Sequence, residues 1–343
     1  MTHELLGEVR CPSGTLLVVD IGLLGMWKHT EPPLLDDWEA PPETVAVANH
    51  ALDYRVEGPD AAVAGRLFGQ AAGWLYDRSP DFVAAFEAEA RARGLDARLV
   101  AAPARVPHRR RVEHALSNPS RVGVVEFHGI SAPCIGGLPT DRSMKLFGTR
   151  VGAGVFGDCW QHLELQVKSG VCARTELVGE ALVDTARLGF ADVEMLGEWK
   201  HDEPLDGRAD FLFWGADAES FAQIHGVPRV GDDQFGWLDL PAEEVVEHGM
   251  RIEHLRDAEG RRFATDFRPH SHHYQLMAQL RTSITESGTV EIGDAQLCAF
   301  MTSWGDGVFP VEVDREETGA ILTVRVVLGT DRTLRNLRSV NRE

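Results

Sequence analysis

The sequence predicts an α+β protein, rich in strands, built as two tandem copies of one mixed domain with an antiparallel sheet and one or two helices in each copy, related by a pseudo-two-fold. Three observations carry that prediction. A motif recurs at close to half the chain length, several segments alternate apolar and polar residues with period two, and no strand–helix–strand rhythm with a glycine-rich phosphate loop is present. The composition is that of a folded protein, with 43% hydrophobic residues among 343, which gives enough apolar surface for a core.

The repeat sets the architecture. Residues 20–32 read DIGLLGMWKHTEP and residues 192–204 read DVEMLGEWKHDEP. Further matches follow in the same order: Asp53 with Asp210, Gly73-Trp74-Leu75 with Gly236-Trp237-Leu238, Gly94 and Pro103 with Gly260 and Pro269, and Gly123-x-Val125-Glu126 with Gly288-x-Val290-Glu291. Gly152 to Phe156 matches Gly305 to Phe309. Collinearity is the strength of the set. It places a first copy over 13–170, with a helical insertion over about 60–94, a second copy over 185–329, and a basic tail over 330–343. A fused pair of this kind is expected to be a monomeric pseudo-dimer or a weak homodimer.

The elements follow from local chemistry. A helix over about Asp60 to Tyr76 is expected from Val63, Leu67, Ala71, Trp74 and Leu75. Ser79-Pro80-Asp81 supplies a cap, a proline at the first helical position and an early acid, so a second helix runs from there to Gly94. Its equivalent in the second copy spans Pro241 to Leu255. The last strand of each copy alternates cleanly, through Leu163, Leu165 and Val167 and through Leu322, Val324, Val326 and Leu328. Asp314 to Gly319 reads as the hairpin loop ahead of the final strand.

At SWGDGVFPVEVDREETGAILTVRVVLG the chain resembles the bacterial domain of unknown function 4241 family, whose members end on a Gly-Asp-Gly-x-aromatic-Pro segment and a final strand. They begin on a Gly-x-Leu-x-x-x-Asp strand, which is similar to Gly14 to Asp20 here. The first copy departs from the ending, with Ala153 for the acid and Gly157 for the proline. The resemblance implies a fold-level analogy and brings no activity or cofactor with it.

Charge and cysteine usage bound the function. The formal net charge of -19 argues against nucleic acid, whose binding draws on clustered Lys and Arg. Two basic spots, Arg109-Arg110-Arg111 and the tail with Arg332, Arg335, Arg338 and Arg342, have no aromatic platforms beside them and are expected to be solvated or paired with the protein's own acids. Five cysteines without a CxxC spacing, no secretory leader and no membrane-length apolar stretch point to the cytoplasm.

Candidate chemistry concentrates in the second copy. His270, His272 and His273 stand at the start of a helix capped by Ser271. Imidazoles there are held neutral by the helix dipole, as a Zn, Fe or Mn ion requires. Glu286 and Asp306, which face Pro119 and Ala153 in the first copy, are the candidate catalytic or ligating carboxylates. Adjacent His272 and His273 point about 100° apart on a helix, which opposes their facing one ion. Arg268 offers an anion contact instead, and Trp304 and Trp237 offer apolar walls for a small molecule. Trp304-Gly305-Asp306-Gly307 is first of all a hairpin-turn signal. The leading functional expectation is an intracellular acidic binding protein of the immunity or adaptor type, with a basic protein or a small molecule as partner. The alternative is a metal-dependent hydrolase.

Overall fold

The computed structural model describes residues 3–32, 50–67, 73–127, 129–152 and 157–329. Residues 153–156 of the first glycine-rich turn, residues 68–72 of the expected first helix and the arginine tail lie outside them. The chain divides into two compact units, one made of Met1–Glu198 with Thr282–Glu343 and the other of Trp199–Arg281.

In chain order the first unit runs β1 (His3–Arg10), β2 (Thr15–Asp20), a 3-10 turn over Ile21–Met26, β3 (Leu52–Glu57), α1 (Ala61–Arg66), β4 (Trp74–Arg78), α2 (Pro80–Ala92), β5 (Arg98–Ala101) and α3 (His108–Ala115). It continues through β6 (Val122–Phe127), β7 (Ile130–Gly136), β8 (Ser143–Gly152), β9 (Asp158–Gln166), β10 (Arg174–Val183), β11 (Arg187–Asp192) and a 3-10 turn over Met195–Gly197. The second unit holds β12 (Arg208–Trp214), α4 (Ala218–His225), β13 (Gln234–Pro241), α5 (Ala242–Glu259), β14 (Ala264–Pro269) and α6 (His272–Thr282). The chain then returns to the first unit as β15 (Ser287–Ile292), β16 (Ala295–Met301), β17 (Gly307–Arg315) and β18 (Ile321–Val327). The fold is α+β and β-rich, with antiparallel pairing in the strands described.

The large sheet of the first unit has the order β10-β17-β18-β9-β8-β1-β16-β11-β2-β7-β6, with β15 on β16. Strands from the two halves of the sequence interleave in it, since β1 pairs with β16, β2 with β11 and β9 with β18. The sheet curls until β10 lies against β7, where Ser131 Oγ donates to the Glu180 carbonyl at 2.8 Å. Its concave face closes over one core that includes Val9, Leu16, Val18, Leu146, Trp160, Leu163, Phe190, Phe300, Val311 and Val324. The period-two expectation for β9 and β18 holds. Leu163, Leu165, Val324 and Val326 are fully buried, while Glu164 and Arg325 stand on the wet face, 2.9 Å apart.

Each smaller sheet has three strands, β4-β3-β5 in the first unit and β13-β12-β14 in the second. In the first, α2 begins on Pro80 behind Ser79 and ends before Gly94, whose φ of +67° reverses the chain as the sequence requires. Its Phe86 packs with Tyr54, Val56 and Leu75. In the second, α5 ends on Gly260 at φ +61° and places Val245 and Ile252 against Phe211 and Phe213.

Three expectations need correction. The helix over 60–76 is shorter, because α1 stops at Arg66 and Trp74-Leu75-Tyr76 belong to β4. The Trp304-Gly305-Asp306-Gly307 segment is no hairpin: it joins β16 to β17, which pair with other strands. The Gly152–Phe156 and Gly305–Phe309 segments stand at different steps of the strand order, the one after β8 and the other before β17.

Candidate functional site

In the second unit titratable residues converge around Asp210 on the central strand β12. Asp210 is 5% exposed. Its Oδ1 accepts the Asp239 amide at 2.8 Å and lies 3.1 Å from His270 Nε2, and its Oδ2 accepts the Tyr274 hydroxyl at 2.9 Å. The other ring nitrogen of His270 is 3.1 Å from Asp206 Oδ2. Ser271 caps α6 as the sequence predicts, with its Oγ accepting the Tyr274 amide at 3.1 Å. That cap fixes the first turn and stacks Tyr274 on His270 at 5.2 Å.

The electrostatics follow from this geometry. Burial alone would push the His270 imidazole down, but hydrogen bonds and charge from Asp206 and Asp210 more than offset it and raise its pKa. Burial, then Asp210, raises the Tyr274 phenol. Asp206 is held below the ordinary carboxylate range by the Arg208 amide and then by His270. An imidazolium donating to a carboxylate at each nitrogen has no lone pair left for a metal or for accepting a proton. The cluster ties the start of β12 to the start of α6.

The three histidines do not meet. His272 Nδ1 accepts the Lys200 amide at 3.0 Å, with its ring 5.7 Å from that of Trp199. His273 stacks on His201 at 4.0 Å. Among the described residues no group of three or more His, Cys, Asp and Glu side chains is placed to hold an ion. Arg268 donates to Asp266 on its own strand at 2.6 Å. Trp237 stacks on His248 at 4.1 Å.

The remaining candidates belong to the first unit. Glu286 sits at φ +51° and its backbone carbonyl accepts the Met301 amide. Asp306 Oδ1 accepts the Ala186 amide at 2.8 Å, and Trp304 Nε1 donates to the Trp160 carbonyl at 2.6 Å. These contacts are the ones that turns and core packing need.

Sequence reasoning missed a second cluster, around Asp53 on β3. The run Arg109–Arg111 is not uniformly solvated. Arg110 pairs with Glu113 at the surface, but Arg111 is fully buried. Its guanidinium donates to Asp77 at 2.7 and 3.0 Å, to Asp53 at 3.3 Å, and to the Val106 and Glu126 carbonyls at 2.9 Å each. Burial would raise the Asp77 carboxyl, and Arg111 with Arg105 instead holds it well below the carboxylate range. Asp53 is raised by burial, against the pull of Arg111. The match of Asp53 with Asp210 was the available signal, because an acid at the same step of a strand in both halves marks a position that binds backbone amides. Asp53 accepts the Asp77 amide at 2.9 Å as Asp210 accepts that of Asp239.

Compared with protein-family models, curated proteins and solved structures, the chain has no match.

Proposed function

We propose that the chain is two copies of one nine-stranded unit fused through a shared sheet, and that it works as an acidic binding protein for a basic protein partner. The element order supports the duplication, since β1 to β9 with their three helices recur as β10 to β18 with theirs. So do matched details. Asp77 and Asp239 share a φ of +53°, and Arg121 and Glu286 lie at +53° and +51°. The Lys28 amide donates to His108 Nδ1 at 3.1 Å as the Lys200 amide donates to His272.

The observation that carries the binding reading is the outer face of α5. Glu243, Glu247 and Asp257 are exposed along it, and between them Val246 and Met250 stand 42% and 60% exposed. Positions three and four apart share one side of a helix, so the apolar pair sits within a fence of carboxylates. An apolar pair among carboxylates, with Arg251 and His254 also exposed on the helix, suits a partner that presents aliphatic side chains among Lys and Arg. The overall charge of -19 draws such a partner in from a distance.

The test is anisotropy titration with a fluorescein-labelled amphipathic helical peptide of leucine and arginine. Binding should weaken steeply between 50 and 300 mM salt, and both Met250→Asp and the Glu243→Lys, Glu247→Lys pair should weaken it about tenfold or more. Affinity unchanged in both variants would refute the reading.

A further inference from the structure

The first unit carries a cleft of about 570 Å³ where the ends of β8, β9, β17 and β18 meet the connection that follows β9. That volume lies within the range of small-molecule sites. Its floor is Met144 and Leu322, both buried. The connection lies close against that floor, because Gly170 leaves room where a Cβ would come within 2.6 Å of Leu322.

The charge of the rim runs opposite to that of the chain. The protein has only four lysines, and Lys145 and Lys168 both line this cleft. Among the described residues Lys145 makes no ion pair, although Glu8 stands opposite it in the ladder. Lys168 is held by Glu316 at 2.6 Å. The acid that lines the cleft, Asp314, is already engaged by Arg325 and Thr175 at 2.7 Å each. Ser143, Gln166, Ser169 and Thr323 add neutral donors around the same opening.

We infer that this cleft binds a small molecule bearing a phosphate monoester, its anionic head between Lys145 and Lys168. Lysine ammonium groups act as point charges, so a pair of them suits a dianionic phosphate monoester better than a singly charged carboxylate. The inference is independent of the α5 surface.

Cys172 supplies the readout, because it lines the cleft and is exposed while the other four cysteines are buried. Phenyl phosphate is the probe and benzoate its carboxylate counterpart. Saturating phenyl phosphate should slow iodoacetamide alkylation of Cys172 at least about fivefold in the intact protein. Lys145→Ala and Lys168→Ala should each raise the phenyl phosphate Kd about tenfold, and Glu316→Gln, which releases Lys168, should lower it. Absence of saturable protection, or protection unchanged in both lysine variants, overturns the site. Equal protection by benzoate overturns the assignment to phosphate.

Discussion

Replacing Arg111 by methionine keeps an unbranched apolar stem in the buried slot on α3 and removes the guanidinium. Asp53 and Asp77 then remain, 0% and 9% exposed at their side chains, with Arg105 still paired to Asp77. Removing one partner of a buried ion pair costs about 3–5 kcal/mol, because the remaining charge has lost its compensation without regaining water. Two carboxylates share the loss, so Arg111→Met should lower stability by about 4 kcal/mol at pH 7. The pH dependence gives a second readout. In the native protein Asp77 is depressed, so its contribution is full above the unfolded pKa of about 3.9 and is lost as pH falls through its folded value. Without Arg111 the pull that opposes burial is lost at Asp53, which is already raised in the native protein, and is weakened at Asp77, which keeps Arg105. The contribution of Asp53 is then present below about 3.9 and lost as pH rises, so the deficit should shrink on acidification. Urea unfolding followed by circular dichroism at pH 7 and pH 5 measures both, and adding Asp53→Asn to Arg111→Met should recover part of the loss. A deficit below about 1 kcal/mol, or one of equal size at the two pH values, would refute the reasoning.

Two further outcomes follow from the same kind of accounting. The His270 pKa is raised, so its contribution to the second unit is full below the unfolded value of about 6.5 and is lost as pH rises through the folded one. His270→Asn should flatten the melting temperature of the second unit against pH between 6 and 8, and a pH profile identical to that of the native protein would count against the two-carboxylate clamp. Gly123→Ala tests the seating of α3 on β6: its Cβ would fall 2.3 Å from the Ala115 carbonyl oxygen, a backbone atom that cannot swing aside. Stability should drop by about 2 kcal/mol or more, and a neutral substitution would mean that the helix is free to move off the strand.

Local chemistry was legible wherever one residue type decides a conformation. The cap at Ser271, the stop at Gly94 and the alternation of β9 and β18 all sit where the sequence puts them, whereas α5 runs past the expected Leu255 to Glu259 before Gly260 ends it. Trp74-Leu75-Tyr76 misled because a short apolar run satisfies helix and strand periods alike. The histidines misled differently. Closeness in sequence is not convergence in space, and the Asp206 that engages His270 lies 64 residues away. Arg111 reads as one more surface arginine until β3 and β4 bring Asp53 and Asp77 to it. Nor does any strand pattern announce its partner across the sheet, so the interleaving of the two halves was invisible.

That interleaving governs how the chain reaches its native state. During synthesis β1 finds β8 early, but its other edge waits for β16, nearly 300 residues later. Until β16 emerges, the first half presents unsatisfied strand edges, which are templates for pairing with another chain. The shared sheet thus makes neither half a sufficient folding unit, and the long separation between partners predicts slow closure. The second unit, an uninterrupted stretch from Trp199 to Arg281, is spared that wait and can be complete while the sheet around its insertion point is still open.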